Sequence, residues 1–264
     1  MKRPWLFGAQ LLFTLLVCAF MLVPVVMSLL AGLTRNYFQG LSSGLTFDWI
    51  VQVWEAYAPT VWLSLQLAAA CAVCVCVIGV PAAYALVRMN NRFSRAFEEL
   101  MVLPVAMPGL ASALALLLTY GQFGSFRSSW LFILVGHVLF TLPFLVRPVM
   151  AVMQRQHLPV LEEAAASLGA EPLRRFFGIV VPNCRAGILA GVLMVVTLSL
   201  GEFNLTWMLH TPMTKTLPVG LADSYASARL EVASAYTLIF LLMIVPLLVA
   251  LQAISTRLSR GAQR

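Results

Sequence analysis

Six mostly apolar runs dominate the chain, at 9–32, 60–87, 99–119, 129–150, 186–209 and 233–256. Each approaches or exceeds the roughly 20 residues that a helix needs to cross a bilayer core. Pro81, Pro104, Pro108, Pro143 and Gly191 interrupt several of them. Membrane helices tolerate such residues where neighbours re-satisfy the freed backbone. The pattern therefore predicts an all-α integral membrane protein with six transmembrane helices. Two connections between runs are long. In 33–59 the spacing of Phe47, Trp49, Ile50, Val53, Trp54 and Tyr57 predicts a short amphipathic helix lying at a membrane surface. The other is 151–185. The expected organisation is a first span with its outer loop (1–59), a core of five spans (60–256) and a tail (257–264).

Composition agrees. Of 264 residues, 61% are hydrophobic and 10% charged, and the mean hydropathy is +0.91. A soluble fold of this size could not hide so much apolar surface from water. Lys2 and Arg3 precede the first run as in a signal peptide. No small-residue cleavage site follows before Leu30, and Val17 is a poor lipoprotein context for Cys18. The reading is a retained first helix.

The net charge of +7 could suggest nucleic acid. The basic residues form no stripe, however. They are spread between apolar runs, which suits topology and lipid head groups rather than a nucleic-acid partner. With the N-terminus inside, 13 of the 17 Lys and Arg fall in inner connections, and Arg35, Arg127, Lys215 and Arg229 fall outside. The excess of basic charge inside predicts both termini in the cytoplasm. Trp62, Trp130 and Trp207 then lie near outer ends of runs, where indole rings favour the interface. The five cysteines lie in or beside apolar runs. Cys71, Cys74 and Cys76 read as small apolar residues of a helix rather than a metal or redox group.

The inner connection carries most of the information. Leu158-Pro159 precedes a helix predicted over Val160–Leu168, with Glu162 and Glu163 in its first turn, where they favour the helix dipole. Gly169 suits the left-handed residue that ends a helix. Pro172 opens a second short helix, and Pro182 is expected to close it. The residues alone allow two readings: a small-residue hairpin that fits another protein's groove, or an amphipathic linker on the membrane.

Glu163-Ala164-Ala165, then Gly169, then Ile179-Val180-Val181-Pro182 resembles the signature of permease subunits of binding-protein-dependent ABC importers, of the type I fold. In that pattern Glu-Ala-Ala is followed by three residues, Gly, nine residues and Ile-x-Leu-Pro. Every spacing fits, and the one departure is Val181 in place of Leu. The resemblance extends through Thr60, Gly79, Pro81, Tyr84, Ala85 and Arg88, through Leu103-Pro104 and Pro108-Gly109, and to Gly201-Glu202-Phe203 and Thr216-Leu217-Pro218. It is nearest to permeases for phosphonates, polyamines, iron, sulfate and molybdate.

The resemblance implies a mechanism. Two permease subunits, identical or homologous, form a pathway in the inner membrane. The hairpin 158–182 of each acts as a coupling helix seated in a cytoplasmic ATPase, two copies of which drive alternating access. A periplasmic substrate-binding protein delivers the cargo. It assigns coupling to Glu163, Ala164, Ala165, Gly169, Ile179 and Pro182, and a pathway or gate role to Glu202 and Phe203. The cargo it implies is a small polar nutrient such as 2-aminoethylphosphonate, a polyamine or iron.

No phosphate-cradling loop can be built here, because neither Lys2 nor Lys215 follows a glycine. The ATPase is expected to be a separate chain, this one is not expected to be an enzyme, and no cofactor is expected in it. Glu202 is the one carboxylate inside a predicted run rather than at its edge. A buried intramembrane carboxylate is costly and faces a partner or cavity. Because Gly-Glu-Phe recurs in permeases for unlike cargoes, a structural or gating role is favoured. His137, mid-run, reads as a proton relay or, preferably, a packing histidine. The rival function is an ion-gradient-driven secondary transporter using Glu202 and His137. Two ionisable groups are few for that.

Overall fold

The computed structural model describes residues 4–155 and 158–260, and the described residues are almost wholly helical. Lys2, Arg3 and Arg264 of the charge count lie outside them. Among the described residues, four helices are long and apolar enough to cross a membrane: α1 (Pro4–Ala31), α2 (Asp48–Met89), α7 (Trp130–Arg155) and α14 (Leu230–Arg260). Two bent pairs raise the number to six if each counts as one span.

The first bent pair corrects the expected third run. α3 (Arg92–Leu100) and α4 (Leu103–Ala106) end at Met107-Pro108, and α5 (Gly109–Tyr120) leaves at 103° to them. Proline has no N–H to continue the ladder, so the break falls there. At about 1.5 Å per residue α5 alone is roughly 18 Å long, short of a bilayer core. After a short turn of helix, α6 (Gly124–Arg127), comes α7, which runs through Pro143 and Pro148.

The second correction concerns 48–58. These residues are no separate surface helix but the first three turns of α2, continuous through Pro59. At roughly 63 Å by its helical rise, α2 is about twice as long as the hydrocarbon is thick.

By contacts the chain forms two compact units, Met1–Ala58 with Gly220–Met243, and Pro59–Val219 with Ile244–Arg264. In the first unit, α1 is exposed on every side from Leu6 to Met27, as a helix solvated by lipid or by another chain must be. Its exit is tightly held. A Cβ on Gly32 would come within 2.8 Å of the Ser234 and Ala235 backbone. The Tyr37 N–H donates to Glu231 at 2.9 Å, and Trp49 Nε1 donates to the Thr34 carbonyl at 2.9 Å.

The second unit is built on α7. α11 (Arg185–Gly201) lies along it so closely that a Cβ on Gly191 would stand 2.8 Å from Leu145 Cα, and one on Gly187 2.8 Å from the Pro148 carbonyl oxygen. Small residues allow such backbone approach where lipid supplies no hydrophobic drive. On another side, a Cβ on Gly79 of α2 would meet Leu145 Cδ2 at 2.9 Å. Gly191→Leu should therefore lower the stability of the detergent-extracted protein by about 1–3 kcal/mol through overpacking, read as a fall in thermal midpoint. Gly8→Leu, where an added Cβ meets nothing, should leave the midpoint unchanged.

Candidate functional site: a tethered hairpin and a broken helix

The hairpin begins with α8 (Leu158–Ser167). Its C-terminus is a Schellman motif: the Ala170 N–H reaches the Ala165 carbonyl at 3.0 Å and the Gly169 N–H the Ala166 carbonyl at 2.9 Å, with Gly169 at φ +81°. Glycine takes that conformation without the strain a side chain adds. α9 (Pro172–Arg175) follows, then a π-helical turn over Phe176–Val180 and α10 (Val181–Asn183). The chain turns by 72° after Asn183 into α11. Pro182 thus does not close the second helix, as expected from sequence. It sits in the first turn of α10, where a missing N–H costs little, and the turn falls at Cys184.

The two faces of α8 differ. Leu158 and Glu162, one turn apart, are buried. The Glu162 carboxylate is 2% exposed and pairs with Arg88 of α2. Tyr84 Oη donates to the same oxygen at 2.7 Å, and the Tyr84 ring meets Phe176 edge-on at 5.3 Å. A carboxylate, a guanidinium and a phenol thus tie the hairpin to one end of α2. The other face is free: Glu163, Ala164 and Ala166 are exposed, as are Leu168 (89%), Leu173 (71%) and Phe177 (65%). Ala165 and Ile179 are half-buried, and Gly169 and Pro182 are exposed.

The second feature is the break in the fifth run, expected to be continuous over 186–209. α11 stops at Gly201. Glu202 is extended (φ −71°, ψ 115°), and after Phe203 the chain resumes as α12 (Asn204–Leu209). Glu202 Oε1 accepts the Leu205 N–H at 2.8 Å, and Arg127 Nη1 donates to the Leu209 carbonyl at 2.7 Å. One backbone group at each end of this short helix is thereby satisfied. Glu202 also lines a cavity of about 240 Å³ with Pro104, Ser112, Tyr120, Phe140 and Leu205. The Ser112 hydroxyl in its wall is buried without a hydrogen-bond partner. Phe203 is half-buried, and its ring lies tilted against Trp207 with centroids 5.3 Å apart.

His137 is buried beside the break. Nδ1 lies 2.8 Å from Ser199 Oγ and Nε2 2.8 Å from Thr206 Oγ1, so both ring nitrogens are engaged, as a packing histidine requires. The Ser–His contact does not make a hydrolytic triad, since the third partner is Thr206, not a carboxylate.

A family model described as the inner membrane component of binding-protein-dependent transport systems matches residues 75–262. The chain belongs to this family. Its members here include the putrescine transport system permease protein PotI of Escherichia coli (strain K12), 29% identical over 227 residues, covering 83% of this chain and 79% of that protein. The sulfate transport system permease protein CysW of Synechocystis is 30% identical over 195 residues, 69% of this chain and 70% of that one. The fold resembles a chain in the crystal structure of a bacterial ABC transporter involved in alginate import, with a TM-score of 0.74 at 17% identity, covering 97% and 96% of the two chains. The protein is thus a multi-pass inner-membrane permease subunit of an ABC importer.

Of the permease residues expected from sequence, the structure gathers Glu163, Ala164 and Gly169 on the outer side of one hairpin. Glu202 and Phe203 stand apart from them at the break. Sequence reading missed Glu162, which differs from Glu163 only in facing inward. The signal was present: Tyr84 and Arg88 are one helical turn apart and so share a face. Breaking a buried ion pair leaves an uncompensated charge. Because the Arg88 side chain is 44% exposed, water offsets part of that loss, and Arg88→Ala should loosen the hairpin by about 1–2 kcal/mol. Hydrogen exchange of amides 158–167 should then quicken roughly tenfold. The exchanged pair Arg88→Glu with Glu162→Arg should recover part of the protection.

Proposed function

We propose that this permease is one of two membrane halves, the second being another copy or a homologue, that move a small polar solute inward by alternating access. Energy comes from two copies of a separate cytoplasmic ATPase, and cargo from a periplasmic binding protein. The spans number six, α5 and α11 being the principal helices of the two beyond the four long ones, with both termini and the hairpin 158–182 in the cytoplasm, as the distribution of basic residues favours. The core is 60–256, preceded by 1–59 and followed by 257–264. Of that tail, only the helical backbone to Arg260 lies within the described residues.

The observation that carries this reading is the hairpin's two-sidedness. One face is pinned to α2 through a buried carboxylate, and the opposite face presents Leu168, Leu173 and Phe177 around a left-handed glycine. Large apolar side chains at a loop tip need a partner surface, and a rigid tether converts that partner's motion into motion of a span. Glu163, Ala164, Ala165, Gly169, Ile179 and Pro182 form the docking element. The cavity at the helix break, with Glu202 and Phe203, is the pathway or its gate, because discontinuous helices mark the sites of transport proteins. Glu202 caps α12, which supports the structural or gating role over cation recognition. The relatives' names cover putrescine, a cation, and sulfate, an anion. Polyamines and aminoethylphosphonates are the first cargo classes to screen, followed by iron.

Gentle extraction of the tagged subunit should bring down an ATPase, and recovery of the subunit alone would remove this reading. Gly169→Asp should abolish uptake while membrane insertion persists. An added Cβ there meets nothing within the chain, so the loss would arise in the partner's groove and in the strained backbone. Full uptake by Gly169→Asp would exclude the docking role.

A further inference from the structure

The break between α11 and α12 poses a mechanical problem. Two non-helical residues join a 17-residue helix to one of six. The ladder of backbone hydrogen bonds that stiffens a helix is interrupted there, and α12 is too short to hold its own direction. Something outside the break must set the angle, since Glu202 and Phe203 sit at its vertex.

His137 reaches both sides. Ser199 lies three residues before Glu202, on α11, and Thr206 three residues after Phe203, on α12. The imidazole lies between them, with one ring nitrogen 2.8 Å from each hydroxyl. Each hydroxyl can donate or accept, so a neutral ring satisfies both contacts in either tautomer. The ring is rigid, which fixes the separation of the two hydroxyls more firmly than a flexible side chain could. Its base is anchored too. The Thr141 hydroxyl donates to the His137 carbonyl at 2.7 Å, and Cys71 Sγ on α2 stands 3.2 Å from that hydroxyl.

The preceding residue completes the seat. Gly136 presents no side chain, so α12 rests directly on α7. A Cβ there would lie 2.5 Å from Leu205 Cδ2 and 2.9 Å from Leu209 Cδ1. Gly136 borders the Glu202 cavity, whereas His137 does not line it. The histidine therefore acts on the vertex without touching what occupies the cavity.

We propose that His137 is a positioning residue that clamps the two halves of the broken span, and so sets where Glu202 and Phe203 stand at the gate. The gate role rests on the proposed function; the clamp itself does not. Opening of the gate would release one arm, Ser199 or Thr206, and pivot α12 on Gly136.

Hydrogen exchange resolved by peptide, on the purified subunit in nanodiscs, tests the clamp without any cargo or ATPase. His137→Ala should raise exchange of the α12 amides at least tenfold and leave α2 and α7 within twofold of the parent. His137→Gln, which can still hydrogen-bond Thr206, should recover protection to within about threefold. Unchanged α12 exchange in His137→Ala would overturn the clamp. So would a rise spread equally over α2, α7 and α12, the mark of general destabilisation. If His137→Ala does not insert, Ser199→Ala and Thr206→Val each remove one arm, and each should raise α12 exchange at least threefold; no rise in either would equally overturn it. Failure of the importer reading shows elsewhere, as the absence of a co-purifying ATPase.

Discussion

The bilayer core offers no water to backbone groups, and nearly every feature of this protein answers that constraint. A chain so placed must keep its peptide groups paired within helices, and wherever a helix stops, a substitute donor or acceptor must be supplied. At Met107-Pro108 the missing donor is proline's own, and the Ala111 and Ser112 N–H groups return to the Pro108 carbonyl. At Glu202–Phe203 the solution is chemical rather than geometric: a carboxylate takes the Leu205 N–H, and a guanidinium takes the Leu209 carbonyl. The second solution requires polar side chains at depth. Ser199, Thr206 and His137 are buried polar residues of the second unit gathered at such a break.

That distribution explains what could be read from sequence. Hydrophobic runs locate α1, α2, α7 and α14 because an unbroken span needs only length and apolarity. Gly169, the helix before it and the helix opened by Pro172 were legible because caps and turns depend on local residue type. The breaks were not. Pro104, Pro108 and Pro143 look alike in sequence, yet α7 runs on through Pro143 while the chain folds back at Pro108. The outcome depends on whether neighbouring elements can absorb the freed carbonyl. The stop at Gly201 has no proline at all. It is defined by Glu202, whose capping role emerges only once Leu205 has been placed.

Glu162 and Glu163 make the same point at the level of one residue. Adjacent positions on a helix differ by about 100°, so Glu162 faces α2 and Glu163 is exposed. The motif spacing draws attention to Glu163 and passes over its neighbour. Glu162 is constrained by Tyr84 and Arg88, 74 or more residues away in sequence, and no local pattern records that. The same holds for His137, whose partners lie 62 and 69 residues downstream.

The two polar clusters are unlike in kind, and the difference bears on how force passes through the subunit. The Glu162–Arg88–Tyr84 tether is ionic, with one side open to water. Such a link tolerates small displacements, because a long guanidinium can follow its carboxylate as the hairpin shifts. The His137 bridge is buried and short, and hydrogen bonds weaken steeply with angle and distance. A compliant link at the hairpin and a brittle one at the break would let partner motion accumulate in α2 and the helices packed on it before the gate yields. A permease that must open in one step rather than leak gradually is served by this arrangement. If the proposed clamp holds, the gate's threshold would be set by the two hydroxyls on His137 rather than by the cavity beside it.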